Sequence, residues 1–478
     1  MKKILSTVIA LVLALAAFGG FVQRSSAETV DQDKTKETAT EISFNASNNE
    51  VFQYEANANS TFETEKDVDF YRFTLNQDGL IQVNISQLQN AGIAVDLYTS
   101  KDELLESWVS EKGNEDVPML YQGLPAGTYY VKLSIDNGTV TNAEYRMKVL
   151  YLQDNYVEKE TNNTLATANP MTLGKEYVGF SDYDTVDYYR IDTKSNGKLT
   201  VKGTYSSNIT LYYTLLDAKG EVVDDGYLDP KDSEEFKNIY TVGVKPGTYY
   251  LEVSQDDENY ANEYYSTQVN FVADNYSELE NNDTTSNATP IQLKRTYNGV
   301  MSWKLDVDTF KMYVPANANI SFLLSQAPST SFKVEVVDSK NKTIKTFTTK
   351  AGKASLASLG NMNLVKGTYT IRVKYNSGSF AEVPYKLQLQ PKIYWGKVEY
   401  KPAITGKVVA VSATKVYKVK SGKLVYVKAV SKGSELAVFG SDKYGYKLGT
   451  GLYMKKDRTV KYYAVPSQIK SSYTLVNR

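Results

Sequence analysis

The sequence predicts an all-β chain: three tandem β-sandwiches followed by a small, basic, β-rich domain. Three observations predict it. Gly127-Thr128-Tyr129-Tyr130 recurs as Gly247-Thr248-Tyr249-Tyr250 and as Gly367-Thr368-Tyr369-Thr370, 120 residues apart each time. That period is too long for a solenoid repeat and fits whole domains in series. Within each copy, runs such as Phe70 to Leu75, Leu80 to Ile85, Tyr129 to Ile135 and Tyr145 to Leu150 alternate apolar or aromatic residues with polar ones, bounded by Gly, Asn and Asp. Such period-two patterning belongs to half-buried strands, and helical periodicity is nearly absent. Finally, charge changes abruptly at Lys392. Residues 392–478 hold 18 Lys and Arg against 4 Asp and Glu, a net of +14, whereas residues 28–391 carry −18.

Taken in chain order, residues 1–27 read as a secretory signal. Lys2 and Lys3 precede an apolar run from Ile4 to Val22, and Ser25 and Ala27 supply the small residues of a cleavage site. The alternative is an uncleaved anchor, since such a run could just span a bilayer. The sandwiches are then expected at 28–154, 155–274 and 275–391. A second marker sits in step with the first: Asp67-Val68-Asp69-Phe70-Tyr71, Thr185-Val186-Asp187-Tyr188-Tyr189 and Asp306-Val307-Asp308-Thr309-Phe310. Matching junctions, Asp154-Asn155-Tyr156 and Asp274-Asn275-Tyr276, open the second and third copies. In the tail, 392–478, Val, Tyr and Lys alternate between turn signals such as Ser421-Gly422 and Lys432-Gly433, as expected for a β-barrel-like domain or a small pair of sheets.

These markers resemble the bacterial pre-peptidase C-terminal (PPC) domain, the family that includes the collagen-binding domains of clostridial collagenases. The resemblance covers about 28–391 and implies jelly-roll-like sandwiches. The tail segments Val416-Tyr417 through Gly422-Lys423, Lys432-Gly433-Ser434, Val438-Phe439-Gly440 and Tyr446-Lys447-Leu448-Gly449 resemble the wall-binding domain of lactobacillar surface-layer proteins.

Composition excludes much chemistry. The chain has no cysteine and no histidine, so it can form no disulfide, no Cys/His zinc site, no cysteine nucleophile and no Ser-His-Asp triad. Carboxylates remain, and they cluster. Copy two opens Glu158-Lys159-Glu160-Thr161-Asn162-Asn163 and copy three Glu278-Leu279-Glu280-Asn281-Asn282-Asp283. In an extended segment alternate residues share a side, so both glutamates and an asparagine converge. Converging carboxylates repel unless a cation lies between them, and an all-oxygen shell suits calcium. The PPC resemblance implies the same lead-in plus aspartates before the Asp-Tyr-Tyr strand. These are Asp184 and Asp187 in copy two and Asp306 and Asp308 in copy three, where Leu305 stands at the position of Asp184. Copy one aligns Asp31, Asp33, Thr35 and Lys36 with the lead-in and has Lys66 opposite Asp184, so no metal is expected there. Two other readings stay open: acidic residues that merely solvate a linker, and a carboxylate pair of the glycosidase kind.

Lysine alternation puts Lys415, Lys418, Lys420, Lys428, Lys447, Lys455 and Lys456 forward as a polyanion-binding face. The expected partner is a cell-wall polymer, teichoic acid or peptidoglycan, and the alternative is a solubilising surface. The sequence as a whole suggests a secreted, non-catalytic binding or spacer protein. The sandwich modules are expected to bind a protein or polysaccharide ligand, and the alternative is an accessory protein of extracellular hydrolases that binds their protein or polysaccharide substrate.

Overall fold

The computed structural model describes residues 33–477 apart from 50, 182–185, 206–208, 230–235, 256–262, 326–328, 353–354 and 381–382. The expected signal segment and Asp184 therefore lie outside the described residues. Each copy forms two facing sheets. In the first, one sheet runs Thr40–Glu41, Val68–Leu75, Gly127–Gly138, Ala91–Thr99, Leu104–Val109, and the other Asn45–Ala46, Tyr54–Thr64, Thr141–Gln153, Gly79–Ser86, Asp116–Leu124. Strands adjacent in space are mostly distant in sequence, the crossover pattern of a jelly-roll sandwich.

The second and third copies repeat the order, except that their second sheet has four strands, with no counterpart of Asn45–Ala46 among the described residues. Their marker strands are Asp187–Thr193 and Val307–Val314, each paired antiparallel to the Gly-Thr-Tyr strand, Gly247–Gln255 or Gly367–Gly378. A short parallel strand fixes the common frame, pairing Thr40 with Tyr71, Asn169 with Tyr189 and Thr289 with Phe310.

The alternation in sequence is the alternation in burial. Along Val68–Leu75, Asp69, Tyr71, Phe73 and Leu75 point inward, and they pack with Val83, Val131, Leu133 and Met147 from both sheets. The recurrent Gly-Thr-Tyr motif is a tyrosine corner, in which a hydroxyl ties its strand to the preceding turn. Tyr129 Oη donates to the Pro125 carbonyl at 2.8 Å, Tyr249 to Lys245 at 3.0 Å and Tyr369 to Val365 at 3.1 Å.

The chain divides into two compact units at Ala273/Asp274. In the first unit the lead-in of the second sandwich packs on the first: Val157 joins Phe52, Leu80 and Leu150, and the Glu160 N–H donates to the Gly123 carbonyl at 3.3 Å. Lys159 pairs with Asp78. Rings of Tyr121, Phe180 and Tyr264 meet at centroid distances of 5.0–5.8 Å.

In the second unit the tail is a two-stranded ribbon, Tyr394–Trp395 with Val398–Glu399, followed by a pair of sheets, with no closed barrel among the described residues. Three strands, Glu435–Val438, Gly406–Ala410 and Val460–Ala464, face five, Lys423–Val430, Thr414–Lys420, Leu452–Met454, Gly445–Leu448 and Gly440–Asp442. The tail is not an appendage. Ile393, Val398, Tyr400, Ile404, Val465 and Val476 are buried in the same core as Phe310, Phe322 and Leu387 of the third sandwich. A helix, Ser467–Asn477, closes the unit. Strand patterning masks it in the sequence, yet Ile469, Tyr473 and Val476 share one helical face against that core.

Candidate metal centres and basic surface

The marker strand enters the core at its acidic residue, so Asp187 and Asp308 are inward-facing carboxylates, 2% and 0% exposed. Each meets the lead-in of its own copy. Carboxylate oxygens of Glu158, Glu160 and Asp187 lie within 4.8 Å of one another, and so do those of Glu278, Glu280 and Asp308. Glu158 and Glu278 are buried and the second glutamates half-buried.

Tyrosines hold each cluster. Tyr265 donates to Asp187 at 2.5 Å, and its hydroxyl oxygen lies 3.0 Å from Glu158 Oε2 and 2.8 Å from the Tyr189 hydroxyl. Tyr385 donates to Asp308 at 2.6 Å and reaches Glu278 at 3.4 Å. The first copy has the same pair: Tyr145 donates to Asp69, and its hydroxyl lies 2.6 Å from that of Tyr71. Tyr145, Tyr265 and Tyr385 recur every 120 residues. That repetition was the signal for a site role, and sequence reasoning passed over it because strand tyrosines ordinarily serve packing.

Burial and mutual repulsion push Glu158, Glu278 and Asp308 up. Desolvation first, then Asp187 and Glu160, holds the Glu158 carboxyl well above its usual range. Desolvation, then Glu278, does the same for Asp308. Asp306 is raised to about 6, chiefly by burial and also by Asp283. Three carboxylates this close cannot all ionise in a low dielectric without a cation. Their donors are all oxygen, and in copy two the buried Asn162 Oδ1 has no hydrogen-bond partner in the protein. The residues present therefore fit a hard cation of the calcium kind.

The remaining expected ligands divide. In copy three Asn282 Oδ1 accepts the Thr309 N–H at 2.8 Å and Asp283 Oδ1 the Val307 N–H at 3.3 Å. Asp306 is buried, with Oδ2 accepting the Ser302 N–H at 2.7 Å, and stands outside the three-carboxylate cluster. Leu305 is 74% exposed, so that position faces away from the cluster. Asn163 and Asp283 are exposed.

The first copy corrects the expected alignment by two residues. The Asp33 carbonyl accepts the Phe70 N–H at 2.7 Å, as the Asn162 carbonyl accepts the Tyr188 N–H at 3.1 Å. Asp33 thus corresponds to Asn162, and Lys34, not Lys36, to Asn163. Lys36 instead pairs with Asp102 at 2.6 Å and lies 4.5 Å from the Tyr130 ring centroid.

On the tail all seven singled-out lysines are exposed. Lys415, Lys418 and Lys420 do not form the single face expected: the register shift between Val416 and Tyr417 skips Val427 on the partner strand, while the lysine strand pairs without interruption to Leu452–Met454. Lys415 therefore lies on the opposite side of its strand from Lys418 and Lys420. Lysines and tyrosines interleave: Lys455 lies 5.0 Å from the Tyr417 centroid, Lys415 5.8 Å from Tyr426 and Lys456 5.4 Å from Tyr446. Tyr446 stacks on Tyr462 at 5.2 Å. Lys447 is partly neutralised by Asp442 at 3.3 Å.

No family model matches the chain. Collagenase ColT of Clostridium tetani (strain Massachusetts / E88) is 25% identical over 221 residues, 42% of this chain and 21% of that protein. The chain thus spans about a fifth of the length of this curated relative. Among solved structures, the pre-peptidase C-terminal domain of the Bacillus anthracis collagenase is 20% identical, covering 21% of this chain and 93% of that domain at a TM-score of 0.18. The triple jelly roll of an archaeal virus turret is 8% identical over 77% of this chain and 97% of its own, at 0.22. The collagenase match agrees with the PPC-like character of the sandwich modules. No helix among the described residues is long and apolar enough to cross a membrane.

Proposed function

We propose that the chain is a secreted, non-catalytic surface protein. Its second and third sandwiches are braced by calcium, and its basic tail binds an anionic cell-wall polymer. The observation that carries this reading is the recurrence of one three-carboxylate cluster at the start of two successive modules, where a spacer needs its joints fixed. Glu158, Glu160, Asp187 and Asn162 would hold the ion in the second module, and Glu278, Glu280 and Asp308 in the third. The ion supplies the positive charge that lets the carboxylates ionise together. In the second module it thereby ties a lead-in already packed on the first sandwich, through Val157 and Gly123, to the marker strand of its own.

For the tail, exposed lysines beside tyrosine rings suit a flexible polyanion that carries sugar units. The test is co-sedimentation of the full chain with bacterial sacculi that retain or lack teichoic acid. A variant with Lys415, Lys418, Lys420 and Lys428 changed to Gln serves as the comparison. Substitution replaces deletion here because removing residues 392–478 would strip the third sandwich of part of its core. Pelleting by the wild type that is lost in the variant supports the reading; equal pelleting of both refutes the basic surface as the anchor.

The match to a collagenase favours a second reading, an accessory module that binds the protein substrate of an extracellular hydrolase. Retention of the full chain on immobilised collagen, abolished by a chelator, would support it.

A further inference from the structure

The first sandwich has the buried acids of the other two but a different balance of charge. In the common frame its counterparts of Glu158 and Glu160 are Thr29 and Asp31, so one carboxylate is missing from the sequence at this end. Asp69, equivalent to Asp187 and Asp308, is fully buried, and Asp33 and Asp67 are 8% and 6% exposed. Asp67 Oδ2 accepts the Glu63 N–H at 2.9 Å, as Asp306 accepts that of Ser302. Lys34 stands where the other copies have Asn163 and Asp283. Its ammonium pairs with Asp67 and lies 3.7 Å from Asp69 Oδ1. Two acid oxygens here, Asp33 Oδ1 and Asp69 Oδ1, are buried and make no hydrogen bond. A positive charge therefore already sits among the acids of this module, and the chain itself supplies it.

We propose that the Lys34 ammonium is the built-in cation of the first sandwich, and that Lys34→Asn opens this end of the module to a divalent ion. The comparison with the other modules rests on the calcium reading above, but the site in the first does not require it. A tethered ammonium shared by Asp67 and Asp69 offsets one of their two charges without any metal, so this sandwich does not depend on calcium. Asn, the residue at the equivalent position of the second module, removes the charge and adds an oxygen donor. Asp33, Asp67 and Asp69 are then left with uncompensated charge, the condition under which oxygen ligands capture a cation.

The experiment is a terbium titration of the full chain, read as tyrosine-sensitised luminescence, in a background carrying Glu160→Gln and Glu280→Gln. Tyr71 and Tyr145 stand beside Asp69 as sensitisers. The expected result is no saturable signal in the background alone, one added equivalent with Lys34→Asn and none with Lys34→Arg. Addition of Asp69→Asn to Lys34→Asn should abolish the added equivalent. A wild-type chain that binds no terbium, while Lys34→Asn binds one equivalent, would sink the calcium reading of the other modules and leave this proposal standing. A folded Lys34→Asn chain with no added equivalent overturns the proposal, as does equal binding by Lys34→Arg. Should Lys34→Asn fail to fold, amine acylation of the wild-type chain decides. Lys34 should react several-fold more slowly than Lys415, and equal rates refute its engagement with Asp67 and Asp69.

Discussion

Lowering the pH should stabilise the metal-free chain, the reverse of ordinary acid denaturation, and Asp306 sets the scale. Its carboxyl is raised from 3.8 to about 6 by burial and by Asp283. A difference of one in pKa is worth about 1.4 kcal/mol, so ionising this group in the folded protein costs about 3 kcal/mol. The folded state binds more protons than the unfolded one between these two values, so stability falls as pH rises through the window and the whole cost is present above 6. Going down from about pH 8 to about pH 5 recovers roughly 1.4 kcal/mol from this group. For a unit of this size that is a rise in Tm of about 3–6 °C. Glu278 and Asp308, also raised by burial, add in the same direction. Acids held low, such as Glu435 by the Lys407 ammonium and Asp442 by the Tyr444 N–H, give up most of their stabilisation only below about pH 5, so they oppose the effect weakly in this window. The assay is scanning calorimetry with a chelator at the two pH values, on wild type and on Asp306→Asn. Asparagine keeps an acceptor for the Ser302 N–H but carries no charge, so it should raise Tm at pH 8 and flatten the pH dependence. A Tm that falls or holds level on acidification, with Asp306→Asn no more stable at pH 8, refutes the reasoning.

Calcium should raise the unfolding temperature of the full chain more at neutral pH than at about pH 5, because fewer of the raised carboxyls then hold a proton that the ion must displace. Glu160→Ala with Asp187→Ala should remove the second module's share, and calorimetry with and without chelator checks it. Tyr249→Phe deletes the hydroxyl that donates to the Lys245 carbonyl; a loss of about 1 kcal/mol is expected in thermal or urea unfolding. An added Cβ at Gly299 would overlap the Tyr385 ring, so Gly299→Ala should cost about 1–3 kcal/mol and weaken terbium or calcium binding by the third module, measured by titration. Retention of the chain on sacculi should fall steeply with added salt, because exposed lysines are screened beyond a Debye length of roughly 10 Å at 0.1 M.

What the sequence by itself determined is local or periodic. Alternation set the strands, because a strand buries every second residue. The 120-residue recurrence of Gly-Thr-Tyr set the three sandwiches, and the Glu-x-Glu spacing aimed two side chains at one point. Whatever depends on which distant residues meet was decided by tertiary structure. Asp187 and Asp308 became parts of carboxylate clusters only because the marker strand docks beside the lead-in of its own copy. Tyr265 and Tyr385 became their hydrogen-bond donors because the strands Glu263–Ala273 and Val383–Lys392 lie across the core from them. The helix Ser467–Asn477 and the burial of Ile393 and Val465 follow from packing against the third sandwich, a surface that no window of the tail describes. Charge shows the same limit: the fold carries Lys34 across 33 residues of chain to Asp67. The attraction acts through space, and sequence separation carries no trace of it.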